Sequence, residues 1–110
     1  EEIKALQKDF AQNILVAGAD GRINFELEKA GRVADYLELG ALIVEDALQR
    51  EESCGAHFRE EHQTSEGEAQ RNDAEFQFVS VWEYQGPQSF KLHQEALEFE
   101  ALKPTQRSYK

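Results

Sequence analysis

Apolar positions along the chain form two helical stretches, lose their order, and then return at every second residue. Ile3, Leu6, Phe10 and Ile14 recur at helical spacing, with Lys4, Lys8 and Asp9 on the other side. This predicts an amphipathic helix over about 1–14. Gly18, Asp20 and Gly21 then supply turn chemistry. A stronger pattern runs over about 24–51. Leu27, Ala30, Val33, Ala34, Leu37, Ala41, Val44 and Leu48 follow the i, i+3, i+4, i+7 rule, and Tyr36, Leu39, Ile43 and Ala47 form a second row. Asn24 is placed to cap this helix, and Glu26 and Glu28 suit the positive end of its dipole. Small residues at 30, 31, 34, 40, 41 and 47 would let another helix approach closely. The double apolar row needs more cover than one short helix provides.

From Glu52 to Asp73 the periodicity disappears, and a long polar loop is expected. Residues 76–84, FQFVSVWEY, alternate: Phe76, Phe78, Ser80, Trp82 and Tyr84 face one way, and Gln77, Val79, Val81 and Glu83 the other. Gly86-Pro87 marks a turn. Residues 96–101, ALEFEA, alternate again and are expected to be the second strand of an antiparallel hairpin. The predicted fold is mainly α with a small β part. It comprises an antiparallel helical hairpin or bundle fragment (about 1–14 and 24–51), a loop over 52–73, and a β-hairpin of about 76–84 and 96–101. A chain of 110 residues suits one domain.

Charge narrows the partners. The acidic residues number 22 and the basic ones 12, for a formal net charge of −10. That balance opposes binding to nucleic acid, which needs Lys and Arg to displace counterions from phosphates. It also opposes an anionic membrane surface. No apolar run reaches the ~20 residues that span a bilayer, so direct membrane insertion is not expected. A single cysteine, Cys54, cannot form an internal disulfide, and a reducing cytoplasm is the simpler setting. Methionine is absent, and the first helical pattern starts without a capping residue before it. The expectation is a piece excised from a larger protein.

One stretch, REESCGAHFREEHQ from Arg50 to Gln63, gathers most of the reactive side chains. Cys54, His57 and His62 have the spacing C-x2-H-x4-H, which matches no familiar zinc motif closely and offers one sulfur. A thiolate–imidazolium pair of Cys54 and His57 is opposed by the surrounding carboxylates, which disfavour a thiolate. Gly55 is also expected to break helical geometry there. A packed, inert cysteine is the plainer expectation. Ser53 with His57 lacks an identifiable third member or oxyanion donors. Glu51/Glu52 and Glu60/Glu61 are adjacent pairs that do not face each other on a helix. Neither GxGxxG nor GxxxxGK[ST] occurs. No residue is therefore assigned as catalytic, cofactor-binding or metal-binding. The residues by themselves describe an acidic α and β chain that docks on something.

The segment ESCGAHFREEHQTSEGEAQRND resembles a signature near the C-terminus of succinate dehydrogenase and fumarate reductase flavoprotein subunits. There the pattern reads approximately E-S-R-G-A-H-x-R-x-D, followed by a loop and an R-x-D-D stretch. Here it is carried by Glu52, Ser53, Gly55, Ala56, His57, Arg59, Arg71 and Asp73. The helix LEKAGRVADYLELGALIVEDALQREES is similar to that family's last long helix, with Arg50 at a position usually basic or polar. VSVWEY and the ending QRSYK, with Arg107 and Tyr109, are similar to its closing strand and R-S-Y terminus. The ESCG form and LKPTQRSYK look closest to a subgroup from anaerobic bacteria. Cys54 departs from the pattern, which has Arg there, so any contact of that Arg is not carried over.

The resemblance implies a C-terminal helical domain plus tail with no turnover of its own. The full-length oxidoreductase would interconvert succinate and fumarate in the tricarboxylic acid cycle or anaerobic electron transport, through FAD held by earlier domains. Its partners would be the rest of the flavoprotein subunit, an iron–sulfur subunit and, indirectly, a membrane-anchor cytochrome b. The complex would be cytoplasmic and peripheral to the inner membrane. Glu52, Ser53, Gly55, His57, Arg59, Arg71, Asp73, Arg107 and Tyr109 would serve as structural and docking residues. L-aspartate oxidase and adenylylsulfate reductase share the architecture, but their C-termini match the R-S-Y ending less well. A free-standing acidic interaction module and a zinc-binding domain are the readings from other classes.

Overall fold

The computed structural model describes residues 1–18 and 23–108. The expected turn residues Asp20 and Gly21 lie outside them, as does Tyr109. The elements run α1 (Glu2–Asn13), α2 (Phe25–Gln49), α3 (Asp73–Phe76), β1 (Phe78–Gly86) and β2 (Ser89–Ala96). They divide into two compact units, Glu1–Leu48 and Gln49–Lys110.

The first unit holds the two long helices. The α1 helix starts without a side-chain cap, and its half-buried residues Ile3, Gln7 and Phe10 form one stripe. Gln7 Nε2 donates to Leu37 O at 3.3 Å, tying α1 to α2. Asn24 caps α2 as its position implied: its Oδ1 accepts from Glu26 N (3.0 Å) and Leu27 N (3.2 Å), two of the donors a helix start leaves unpaired. On the solvated side Glu26 pairs with Lys29 at 2.8 Å, and Glu28 pairs with Arg32 one turn on. Leu37, Ala41 and Ala47 are half-buried. Leu27, Val33, Tyr36, Leu39, Ile43, Val44 and Leu48 remain exposed, between 44 % and 65 %. One short helix covers a strip of α2 and leaves most of its apolar face bare.

The helix does not reach residue 51. It ends at Gln49, before the motif begins. Gly55 therefore does not break it, and lies instead in a tight turn with φ +60°.

The first strand, expected over 76–84, forms at Phe78–Gly86, because Phe76 closes α3; its partner is different. The second strand is Ser89–Ala96, and residues 97–101 lie outside the sheet. Register pairs Phe78 with Ala96, Ser80 with Gln94, Trp82 with Leu92 and Tyr84 with Phe90 on one face. Tyr84 and Phe90 rings meet edge-on, with centroids 6.1 Å apart. The turn explains the difference. Gly86 pairs directly with Ser89, so Pro87 and Gln88 form a two-residue connection. Proline suits its first position, and Gln88 takes φ +58° at the second. So tight a turn makes the residues immediately after it the partner strand. A bulge at Gln85, between Tyr84 and Gly86, takes up the twist.

Among the described residues no hydrophobic side chain is buried; Glu52 (2 % exposed) and Ser53 (0 %) are the buried residues. The most enclosed point of the chain is polar.

Candidate functional site

That point is built by the first residues after α2. Arg50 projects its guanidinium over the rings of Phe76 and Phe78, 5.7 and 5.0 Å from their centroids. Its Nη1 donates to Phe76 O (3.1 Å) and its Nη2 to Phe78 O (3.2 Å). Nη1 also donates to Glu52 Oε1 at 2.8 Å. The other Glu52 oxygen, Oε2, accepts Asn72 N at 2.9 Å. One carboxylate thus holds both the end of the helix and the far end of the loop.

Ser53 fixes the loop's middle. Its N–H donates to Gln70 O (2.9 Å), and its Oγ accepts Arg59 N (2.8 Å) and lies 3.2 Å from Arg59 O, to which the hydroxyl proton is donated. Cys54 and His57 close a turn through two backbone bonds, Cys54 N to His57 O at 2.8 Å and His57 N to Cys54 O at 3.1 Å. Gly55 provides the left-handed residue this turn needs. His57 and Arg59 then point back to the helix end. His57 Nε2 lies 3.0 Å from Arg50 O, and Arg59 Nη1 donates to the same oxygen at 3.3 Å. A carbonyl only accepts, so the bond puts the imidazole proton on Nε2. Donors of this kind suit the carbonyl-rich end of a helix.

Arg71 and Asp73 flank Asn72 and form a two-pronged pair, with Nε to Oδ1 at 2.9 Å and Nη2 to Oδ2 at 2.7 Å. Donating these hydrogen bonds to Asp73 raises the already high pKa of Arg71. Arg71 Nη1 also donates to Thr105 O at 3.1 Å, and Gln106 Nε2 donates to Ala69 O at 3.1 Å, so the tail is tied to the loop. On the loop's outer side Arg59 Nε donates to Glu61 Oε1 at 2.7 Å. Glu61's own backbone N–H, and then Arg59, hold its carboxyl below the ordinary range.

Of the residues singled out in the sequence, Glu52, Ser53, His57 and Arg59 converge around Arg50, and Arg71 and Asp73 attach through Asn72. Arg107 is exposed in the tail. Cys54 is exposed, not packed as expected. Cys54 and His57 are held together by their backbones, while the His57 ring is engaged with Arg50 O. Among the described residues no group of three or more His, Cys, Asp or Glu side chains is arranged to hold a metal ion. Sequence reasoning passed over Arg50 and Asn72 as organisers. The signal was available for Arg50: a cation at the end of a helix, in a chain with an aromatic strand that had no partner.

The arrangement shapes a surface and positions a loop. It aligns no nucleophile with a base. A protein-family model described as fumarate reductase flavoprotein C-term matches residues 1–109. No curated protein and no solved structure matches the chain.

Proposed function

Because the chain belongs to the family of fumarate reductase flavoprotein C-terminal domains, we propose that it is the bracing and docking domain of a succinate dehydrogenase or fumarate reductase flavoprotein subunit. One observation carries this reading: two long helices and a hairpin leave many large apolar side chains exposed and bury none among the described residues, while the enclosed point is polar. Leu27, Tyr36, Leu39, Ile43 and Leu48, spread over two rows of α2, leave more apolar surface bare than an isolated soluble chain usually shows. On this reading the catalytic body of the same subunit covers it.

FAD belongs to that body. The chain's own residues do not fit the cofactor. Among the described residues there is no glycine-rich strand–loop–helix, and two N-terminal amides of α2 are taken by Asn24. No redox step is therefore routed through residues 1–110. The assembled subunit would interconvert succinate and fumarate and exchange electrons with an iron–sulfur subunit, with a cytochrome b anchor beyond it. The complex would sit on the cytoplasmic side of the inner membrane. Glu52, Ser53, His57, Arg59, Arg71 and Asp73 serve in this reading as the buttress that sets the shape of the docked loop.

The reading frame upstream of the Glu1 codon provides the test. We expect several hundred residues in frame that include a dinucleotide-binding glycine motif. A start codon immediately before Glu1 would overturn the proposal in favour of a free-standing acidic interaction module.

A further inference from the structure

The run ALEFEA alternates apolar and acidic residues as a half-buried strand does, yet past Ala96 it belongs to no sheet. Leu97, Phe99 and Leu102 are 39 %, 53 % and 78 % exposed. Among the described residues, none makes a hydrogen bond to residues 98–104. The segment is nevertheless fixed at both ends. Leu97 N donates to Gln77 O at 3.1 Å, and Gln77 Nε2 donates to Leu97 O at 2.8 Å. At the other end stand the bonds from Arg71 to Thr105 O and from Gln106 to Ala69 O.

We propose that residues 97–102 are a docking strand that adds to the open edge of a sheet outside this chain, on a strand flanked by Lys or Arg. Four observations converge on that partner. A period of two puts Leu97, Phe99 and Ala101 on one side and Glu98 and Glu100 on the other, as one added strand requires. The unbonded backbone groups supply the ladder. Lysine is the usual guard of an exposed sheet edge, and an opposite charge across the strands is favourable. Pro104, which has no N–H, ends the ladder just beyond. The two anchored ends reduce the ordering cost of docking. In the chain by itself the backbone bends at Glu100 and Ala101, so docking straightens it.

The inference rests on the reading that the chain is part of a larger flavoprotein. Its test is residue-resolved amide hydrogen exchange on the full-length protein in its complex. Every second amide between 98 and 102 is expected to exchange at least ~100-fold more slowly than unstructured chain. The double variant E98K/E100K should reduce that protection ~10-fold or more while leaving α2 amides unchanged. Exchange at unstructured rates overturns the proposal, as does equal protection of all these amides. Protection that grows with protein concentration also overturns it, because the occupant would then be a second copy. If the upstream frame encodes the flavoprotein but 98–102 exchange freely, the docking strand alone falls. If that frame is absent, the functional reading falls first.

Discussion

Arg50 and Glu52, two residues apart, form an ion pair of 2.8 Å in which the carboxylate side chain is 3 % exposed and the guanidinium 19 %. The pair is valuable because of what each partner does elsewhere. Arg50 clamps two strand-entry carbonyls and two rings, and Glu52 receives the loop at Asn72. Replacing Glu52 by Ala strands a mostly buried cation and the Asn72 N–H. We expect a loss of about 3 kcal/mol, the lower part of the range for breaking a buried pair, since some of Arg50 reaches water. Urea unfolding followed by tryptophan fluorescence of Trp82 measures it. An unchanged midpoint would show that the pair contributes nothing.

Ser53→Ala removes one hydroxyl that serves both the N–H and the C=O of Arg59. With no solvent access at this site, the expected loss is about 1–3 kcal/mol. Ser53→Thr should cost a comparable amount for a different reason, because the added methyl has no room. Thermal denaturation of the two variants side by side distinguishes a polar from a steric requirement.

At Gly55 an added Cβ would meet nothing within 4 Å, but φ is +60°. The penalty for Gly55→Ala is then backbone strain alone, about 1–2 kcal/mol. Gly55→Asn should retain most of the stability, since Asn tolerates the left-handed region. Equal losses for Ala and Asn would point to a contact with a partner instead.

Acid should loosen the outer side of the loop through Glu61. Its carboxyl titrates below the ordinary glutamate range in the folded chain. A depressed folded value means the contribution is present above the unfolded pKa and is lost as pH falls through the folded one. Glu61→Gln should therefore flatten part of the decline in stability below about pH 4.5 and change little at pH 7. Urea midpoints at pH 6, 4 and 3 for both proteins test the sign.

Residues 1–110 expressed alone should self-associate through α2, whose Leu39 and Ile43 are 54 % and 59 % exposed. L39E/I43E should shift the chain toward monomer in size-exclusion chromatography with light scattering. The same preparation is expected to show no visible flavin absorbance and no fumarate reduction with a viologen dye. Either signal would count against the docking assignment.

The two long helices and most of the first strand were legible because each rests on a local rule. Apolar spacing marked α2, Asn24 marked its start, and alternation marked 76–84, although Phe76 closes α3, a turn of helix that no pattern announced, and the strand starts at Phe78. The second strand begins at Ser89 rather than at Ala96, although ALEFEA alternates more cleanly than SFKLHQEA, whose Phe90 and Leu92 row is interrupted by Gln94. Hairpin pairing is decided by the turn, and Pro87-Gln88 permits no long connection. The helix end was set two residues too late, since Gly55 drew attention from Arg50. The polar centre was hidden for a physical reason. Burial of Glu52 and Ser53 depends on Phe76, Asn72 and Gln70 arriving from some twenty residues away, and no periodicity encodes that meeting.

Cys54 now has a practical value. It is the chain's one thiol, it is exposed, and it sits on a turn closed by two backbone bonds to His57. A spin label or environment-sensitive dye attached there would watch the loop close and the subunit assemble, with no competing thiol elsewhere in these 110 residues. The position where this sequence departs from the signature it resembles is also where the domain is most readily observed.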